Sequence, residues 1–153
     1  MAGHLPKEIS QFHKIPGAKI AIVASSWHAS IVNQMIKTCI EELTKLHASA
    51  VKVHILPGSL ELPLAARILF EKETELEAII AFGVVLKGDT THDSTVIEYV
   101  NQGFTLASER FGKPIINEVI GVRDIVHAEA RAQSKGIEAC YAVSEFINWK
   151  LNI

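Results

Sequence analysis

Ala78-Ile79-Ile80-Ala81-Phe82-Gly83-Val84-Val85-Leu86 runs on without a charge, and Lys87-Gly88-Asp89-Thr90-Thr91-His92 follows it directly. An apolar run with no polar alternation is a strand buried on both faces, as in the centre of a parallel sheet. The polar loop then sits at the carboxyl end of that strand. Going back along the chain, Lys19 to Ala24 and Val51 to Leu56 are shorter runs of the same kind, the second stopped by Pro57-Gly58. Going forward, Ile115 to Ile120 is a fourth.

Helical patterns separate the strands. Ile31, Val32, Met35, Ile36, Cys39, Ile40 and Leu43 follow the three-four spacing of one helix face over Ala29 to Leu46, with Ser25-Ser26 offered as the N-cap. Leu62, Ala65, Ala66 and Leu69 mark a second helix, with Pro63 in its first turn, where proline is tolerated. A third carries Val96, Val100, Leu106 and Ala107 and ends near Gly112-Lys113-Pro114. The remainder reads as two helical pieces, about Asp124 to Ser134 and Ile137 to Leu151, broken at Gly136. Strands alternating with helices require right-handed crossovers, hence a parallel sheet covered on both faces. The expected fold is a four-stranded, three-layer α/β sandwich of flavodoxin-like type. Residues 1–17 form a polar arm and residues 18–153 one domain.

Composition narrows the function. The chain has 153 residues, enough for one domain, with 48% hydrophobic and 21% charged residues, a globular balance. Its 15 basic and 17 acidic residues are scattered and give a net charge of −2, which argues against a nucleic-acid partner. Cys39 and Cys140 stand far apart in apolar helical patterns, so neither a disulfide framework nor a structural zinc is expected. No run is long enough to span a membrane, and Met1 to Ser10 lacks the apolar stretch of a signal peptide. A cytoplasmic domain is the expectation.

Ligands of open α/β sheets bind beyond the carboxyl ends of the strands. There, Trp27 either covers the end of the core or gives a planar heterocycle a stacking platform. Glu61 either complements a helix macrodipole or binds a polyol or a ring N–H. Asp89, Thr90 and Thr91 either cap the third helix or form an anion nest, with His92 beside them as a group able to shuttle protons near neutrality. Arg131 and Lys135, four apart, share one helix face that is either solvated or grips a phosphate. The other histidines show no ligand spacing, and no metal site is read. A receiver needs acidic residues after the first strand and an Asp at the third, where Ala24-Ser25-Ser26 and Phe82-Gly83-Val84 stand, and G-x-G-x-x-G is absent, which excludes receiver and Rossmann readings; the hydroxyl loop is poor for a flavodoxin.

Three segments carry a resemblance. Pro57-Gly58-Ser59-Leu60-Glu61-Leu62-Pro63 resembles the P-G-[AS]-x-E-[IL]-P segment of the 6,7-dimethyl-8-ribityllumazine synthase family. Gly83 to His92, followed by Val96, resembles its G-x-V-[IL]-[RK]-G-x-T-x-H-x-x-x-V segment, and Lys135-Gly136-Ile137-Glu138-Ala139 its closing K-G-x-E-A. Order and spacing agree from about Lys19 to Lys150. The resemblance implies a transferase of riboflavin biosynthesis that uses two small substrates, needs no cofactor, and assembles as a pentamer or a multiple of pentamers.

It also implies roles. Trp27 stacks on a pyrimidine. Ser59, Leu60 and Glu61 meet its ribityl chain, and Val84, Val85 and Leu86 border its ring. Asp89 and Thr90 offer loop amides to a phosphate with Arg131 as its counter-charge, while His92 shuttles the proton. Lys135 matches either of two family lysines. The family often has Phe-Gly at Asn117-Glu118, so the aromatic wall from a neighbouring subunit is replaced by Asn117. Gly121-Val122-Arg123 replaces a hydroxyl-rich run, and Trp27-His28 in place of Phe-Asn resembles a second bacterial type.

Overall fold

The structure is a computed structural model that describes residues 4–153; the first three residues of the expected arm lie outside the described residues. Four strands alternate with four helices: β1 (Ile20–Ser25), α1 (Ala29–Lys45), β2 (Lys52–Leu56), α2 (Leu62–Lys72), β3 (Ala78–Leu86), α3 (His92–Phe111), β4 (Ile115–Val122) and α4 (Ile125–Leu151). All pairings are parallel and the strand order is β2-β1-β3-β4. This is the expected three-layer, flavodoxin-like arrangement. Because β2 and β3 flank β1 on opposite sides, the crossovers diverge between β1 and β3, and a crevice opens at their carboxyl ends.

Alternate residues of the central strands feed two cores. Ile22, Ile80 and Phe82 pack with α1 and α4; Val23, Ile79 and Ala81 pack with α2 and α3. Each fully buried Phe or Ile contributes roughly 1.5–3 kcal/mol. Among the described residues no helix is long and apolar enough to cross a membrane.

Three local expectations change. The last two helical pieces are one helix, α4, because Gly136 lies where α4 crosses α1. A Cβ there would stand 2.6 Å from the Met35 carbonyl oxygen, 2.9 Å from Thr38 Cβ and 3.1 Å from Cys39 N. Packing therefore overrides the roughly 1 kcal/mol that glycine costs a helix. Neither Ser25 nor Ser26 caps α1; His28 occupies that position in the left-handed conformation (φ 55°, ψ 48°). Ser26 Oγ instead donates to the Pro57 carbonyl at 2.8 Å, clamping the β1–α1 turn to the β2–α2 turn. Finally, the arm is not wholly polar in its packing. Phe12 and Ile15 are buried in the α1–α4 core, with the Phe12 ring 5.3 Å from that of Tyr141.

Candidate active site

The divergence point of the sheet holds a cavity of about 610 Å3. Its walls come from three strand-to-helix turns. The β1–α1 turn gives Ser25, Trp27 and His28; the β2–α2 turn gives Pro57 to Glu61; the end of β3 and the start of α3 give Val84 to Leu86, His92 and Val96. Trp27 is two-thirds exposed, so its indole does not cover the core but stands open at the cavity. A Cβ on Gly58 would be 3.1 Å from Glu61 Oε2 and 3.8 Å from Trp27 Nε1. Glycine at that turn lets the carboxylate and the indole N–H edge draw together against bare backbone.

The sequence singled out Trp27, Ser59, Leu60, Glu61, Val84, Val85, Leu86 and His92, and the fold gathers all eight around this one space. Ser25, His28, Pro57, Gly58 and Val96 also line it. Of these, His28 is legible in the sequence only as the neighbour of Trp27, while Pro57, Gly58 and Val96 belong to the segments that carry the family resemblance.

Five singled-out residues lie outside the cavity wall. Asp89 and Thr90 are exposed on the loop before α3, where Thr90 Oγ1 accepts the His92 N–H at 3.4 Å. Arg131 is exposed on α4 and forms no ion pair among the described residues. Asn117, exposed on β4, points at α3: its Nδ2 donates to Asn101 Oδ1 at 2.7 Å, and its Oδ1 accepts the Val119 N–H at 3.0 Å. Lys135 is nearly buried between α4 and β4, 2.9 Å from Glu138 and 3.3 Å from Glu118.

That triad is unevenly balanced. Burial works against the Lys135 ammonium, yet the hydrogen bond it donates to Glu138 and the charge of Glu118 outweigh burial and hold the lysine above its usual range. Burial also pushes the Glu118 carboxyl up, and the single ammonium, shared with Glu138, does not bring it back. The two shifts disagree about one contact, favouring the charged form of the cation and disfavouring that of the anion. Burial is the largest influence on Glu118, and the one ammonium beside it is shared with Glu138. Burial likewise drives the Cys39 thiol up and the Cys140 thiol up to about 12, so both are protonated packing residues.

Two other hollows border this picture. An apolar groove of about 660 Å3 runs between α2 and α3, lined by Leu64, Ile68 and Tyr99, and shares Leu60, Glu61, His92 and Val96 with the cavity. At the amino ends of the strands, a hollow of about 440 Å3 is ringed by lysines, but Lys19 is paired with Glu75 and Lys52 lies 3.7 Å from Glu73.

Fold and cavity together define a class: a flavodoxin-like α/β protein with a small-molecule site at the divergence of its parallel strands. Comparison with known proteins narrows it. The family model described as 6,7-dimethyl-8-ribityllumazine synthase matches residues 17–150. A 6,7-dimethyl-8-ribityllumazine synthase of Paraburkholderia phytofirmans is 34% identical over 134 residues, covering 86% of this chain and 79% of the relative. One of Burkholderia mallei is 33% identical over 139 residues, covering 90% and 80%. The chain belongs to the 6,7-dimethyl-8-ribityllumazine synthase family.

Proposed function

We propose that this chain is a cytoplasmic, cofactor-free transferase that condenses 5-amino-6-(D-ribitylamino)uracil with 3,4-dihydroxy-2-butanone 4-phosphate. The products are 6,7-dimethyl-8-ribityllumazine, phosphate and water. The observation that carries the reading is the convergence of the Trp27 indole, the Glu61 carboxylate and the His92 imidazole on one cavity. In this reading Trp27 stacks on the pyrimidine, the β3 end from Val84 to Leu86 borders its ring, and Ser59, Leu60 and Glu61 engage the ribityl chain. The pyrimidine amine attacks the ketone and loses water as the imine forms. Phosphate leaves next, held by the loop amides of Asp89 and Thr90 and by the guanidinium of Arg131. His92 moves protons at the amine and at the carbon next to the one that loses phosphate, and ring closure expels the last water. Holding both substrates in register supplies much of the acceleration, and the proton shuttle on the order of a hundredfold more.

We also propose that copies of the chain assemble as pentamers or multiples of them. Leu60, Leu64, Ile68 and Tyr99 are exposed beside the cavity, an apolar surface that a neighbouring copy would cover. Asn117 of that neighbour would then border the cavity. Lys135 enters this reading as a strut that fixes α4 against β4, since both of its contacts are internal carboxylates.

The test is to mix the purified protein with both substrates and follow lumazine absorbance and phosphate release together. Coupled appearance of the two above the uncatalysed rate supports the synthase. Binding of the pyrimidine without turnover moves the function to a lumazine- or flavin-binding protein. Arg131→Ala should raise KM for the phosphate substrate far more than for the pyrimidine; equal effects on both remove Arg131 from the phosphate site.

A further inference from the structure

The β3–α3 loop carries His92 and the amides of Asp89 and Thr90, yet little of the fold holds it directly. Residues 88–92 are all exposed, and a Cβ on Gly88 would meet no heavy atom within 4 Å. Within the loop, Thr90 Oγ1 accepts the His92 N–H at a long 3.4 Å. A segment with few buried contacts and weak internal bonds takes its shape from its two ends. One end is β3, where the Lys87 N–H donates to the Val122 carbonyl at 2.7 Å. The other is α3, which begins at His92.

The Lys87 side chain joins those ends. Gly121, in the run that replaces the expected hydroxyl side chains, pairs with Val85 in the β3–β4 register. A Cβ on Gly121 would stand 3.3 Å from Lys87 Cε and 3.6 Å from Ile97 Cδ1. The lysine stem and the isoleucine therefore converge over bare β4 backbone, and Ile97 is in the second turn of α3. Glycine weakens a strand, and the close approach of the stem accounts for it here. Lys87 as a whole is exposed, as a lysine is when its stem lies on protein and its ammonium stays in water. Further along the same α3–β4 seam the tie is polar, Asn117 Nδ2 to Asn101 Oδ1 at 2.7 Å. Next to the loop, the tie is the lysine stem.

We propose that Lys87 is a positioning residue for the transfer reaction: its stem, seated on Gly121, braces the β3–α3 loop so that His92 and the loop amides stand where the phosphate-bearing substrate reacts. Lys87 acts through the loop and touches no reacting atom. The stem does this and the charge does not, so a long unbranched apolar side chain serves as well. Alanine leaves the seat empty, and a side chain at position 121 fills it. This rests on the synthase reading above.

The experiment measures turnover with each substrate varied in turn, for wild type, Lys87→Ala, Lys87→Met, Gly121→Val and the double variant Lys87→Ala/Gly121→Val. Lys87→Ala and Gly121→Val should each lower kcat/KM for 3,4-dihydroxy-2-butanone 4-phosphate about tenfold, as the loop loosens or shifts. Lys87→Met keeps the stem without the charge and should stay within about twofold of wild type. The double variant should be no worse than either single change, because valine then displaces nothing. Binding of 5-amino-6-(D-ribitylamino)uracil, read by tryptophan fluorescence, should stay within about twofold in every variant, and the melting temperatures of the Lys87 variants should match wild type. Should Gly121→Val fail to fold, the two Lys87 variants decide the matter. Full activity in Lys87→Ala overturns the assignment, and so does a loss in Lys87→Met equal to that in Lys87→Ala, which would put the function in the ammonium. Penalties that simply add in the double variant overturn it too. An equal penalty on both substrates with a lowered melting temperature would leave Lys87 a merely structural residue. Absence of turnover in wild type is a different result, and it removes the synthase reading itself and this proposal with it.

Discussion

Helices α1 and α2 start at neighbouring turns of the same sheet and lie on opposite faces of it, yet they end up with different surfaces. α1 buries Ile31, Val32, Met35, Cys39 and Leu43 and turns Asn33, Gln34, Lys37, Glu41 and Thr44 to solvent. α2 buries Leu62, Ala66 and Phe70 but leaves Leu64 and Ile68 exposed, close to Leu60 and Tyr99. One helix is finished by the fold; the other is not. The cavity opens on the unfinished side, where Leu60, Glu61, His92 and Val96 belong to both the groove and the site. The difference teaches that the surface next to the cavity stays apolar and open, whereas the opposite face is polar, and the proposed assembly rests on that contrast.

The sharpest way to break that comparison is to charge the two helices in turn. Leu64→Glu combined with Ile68→Glu should abolish the assembly, since burying an unpaired carboxylate costs several kcal/mol. On the proposed assembly, turnover should fall by on the order of a hundredfold or more. Lys37→Glu on α1 should change neither. Sedimentation velocity beside a turnover assay reads both, and an unchanged assembly in the double variant would dissolve the distinction between the faces.

His92→Ala tests whether the shared border does chemistry or only packing. It should lower kcat about a hundredfold while binding of the pyrimidine stays within about threefold. Unchanged turnover would take His92 out of the mechanism.

On the finished side, Gly136→Ala should cost about 2 kcal/mol by overpacking α4 against Met35 and Thr38, with the assembly still present. Urea denaturation measures it. A loss below about half a kcal/mol would mean that the two helices part easily.

The smallest effect belongs to the arm. Glu145 lies 2.7 Å from Lys7 and 2.8 Å from His13. Burial pushes its carboxyl up, but the hydrogen bonds from Lys7 and His13 win and hold it below the usual range. A lowered acid stabilises the fold fully above its unfolded value, near about 4.3, and the gain is lost as pH falls through the lower folded value. Because the pair is partly solvated, Glu145→Gln should cost about 1 kcal/mol or less at neutral pH and nothing at pH about 2. A stability difference that persists in acid would assign the arm's attachment to Phe12 and Ile15 alone.

Much of this is legible in the residues themselves. Uninterrupted apolar runs mark the strands, and β3 has the bounds its sequence suggests, because Glu77 and Lys87 close it with charges at both ends. The cavity wall is legible because strand ends in an alternating α/β chain converge by topology, so Trp27, Glu61 and His92 have to share one end of the sheet. Gly136 misleads because sequence shows its low helix propensity and not the helix it touches. Phe12 and Ile15 escape notice because two apolar residues among polar ones carry no period. His28 does not stand out as a site residue because a left-handed φ has no sequence signature in a histidine.

By itself, the sequence determined which segments are strand and helix, and that they alternate; local propensity and hydrophobic period are properties of neighbours along the chain. It also placed the indole, carboxylate and imidazole at strand ends. Only the tertiary structure decided which of them share a space, that Lys135 is spent on Glu118 and Glu138, and that α2 keeps an apolar face open beside the site. Those outcomes depend on distances between residues far apart in the chain, which close packing fixes and no local pattern records.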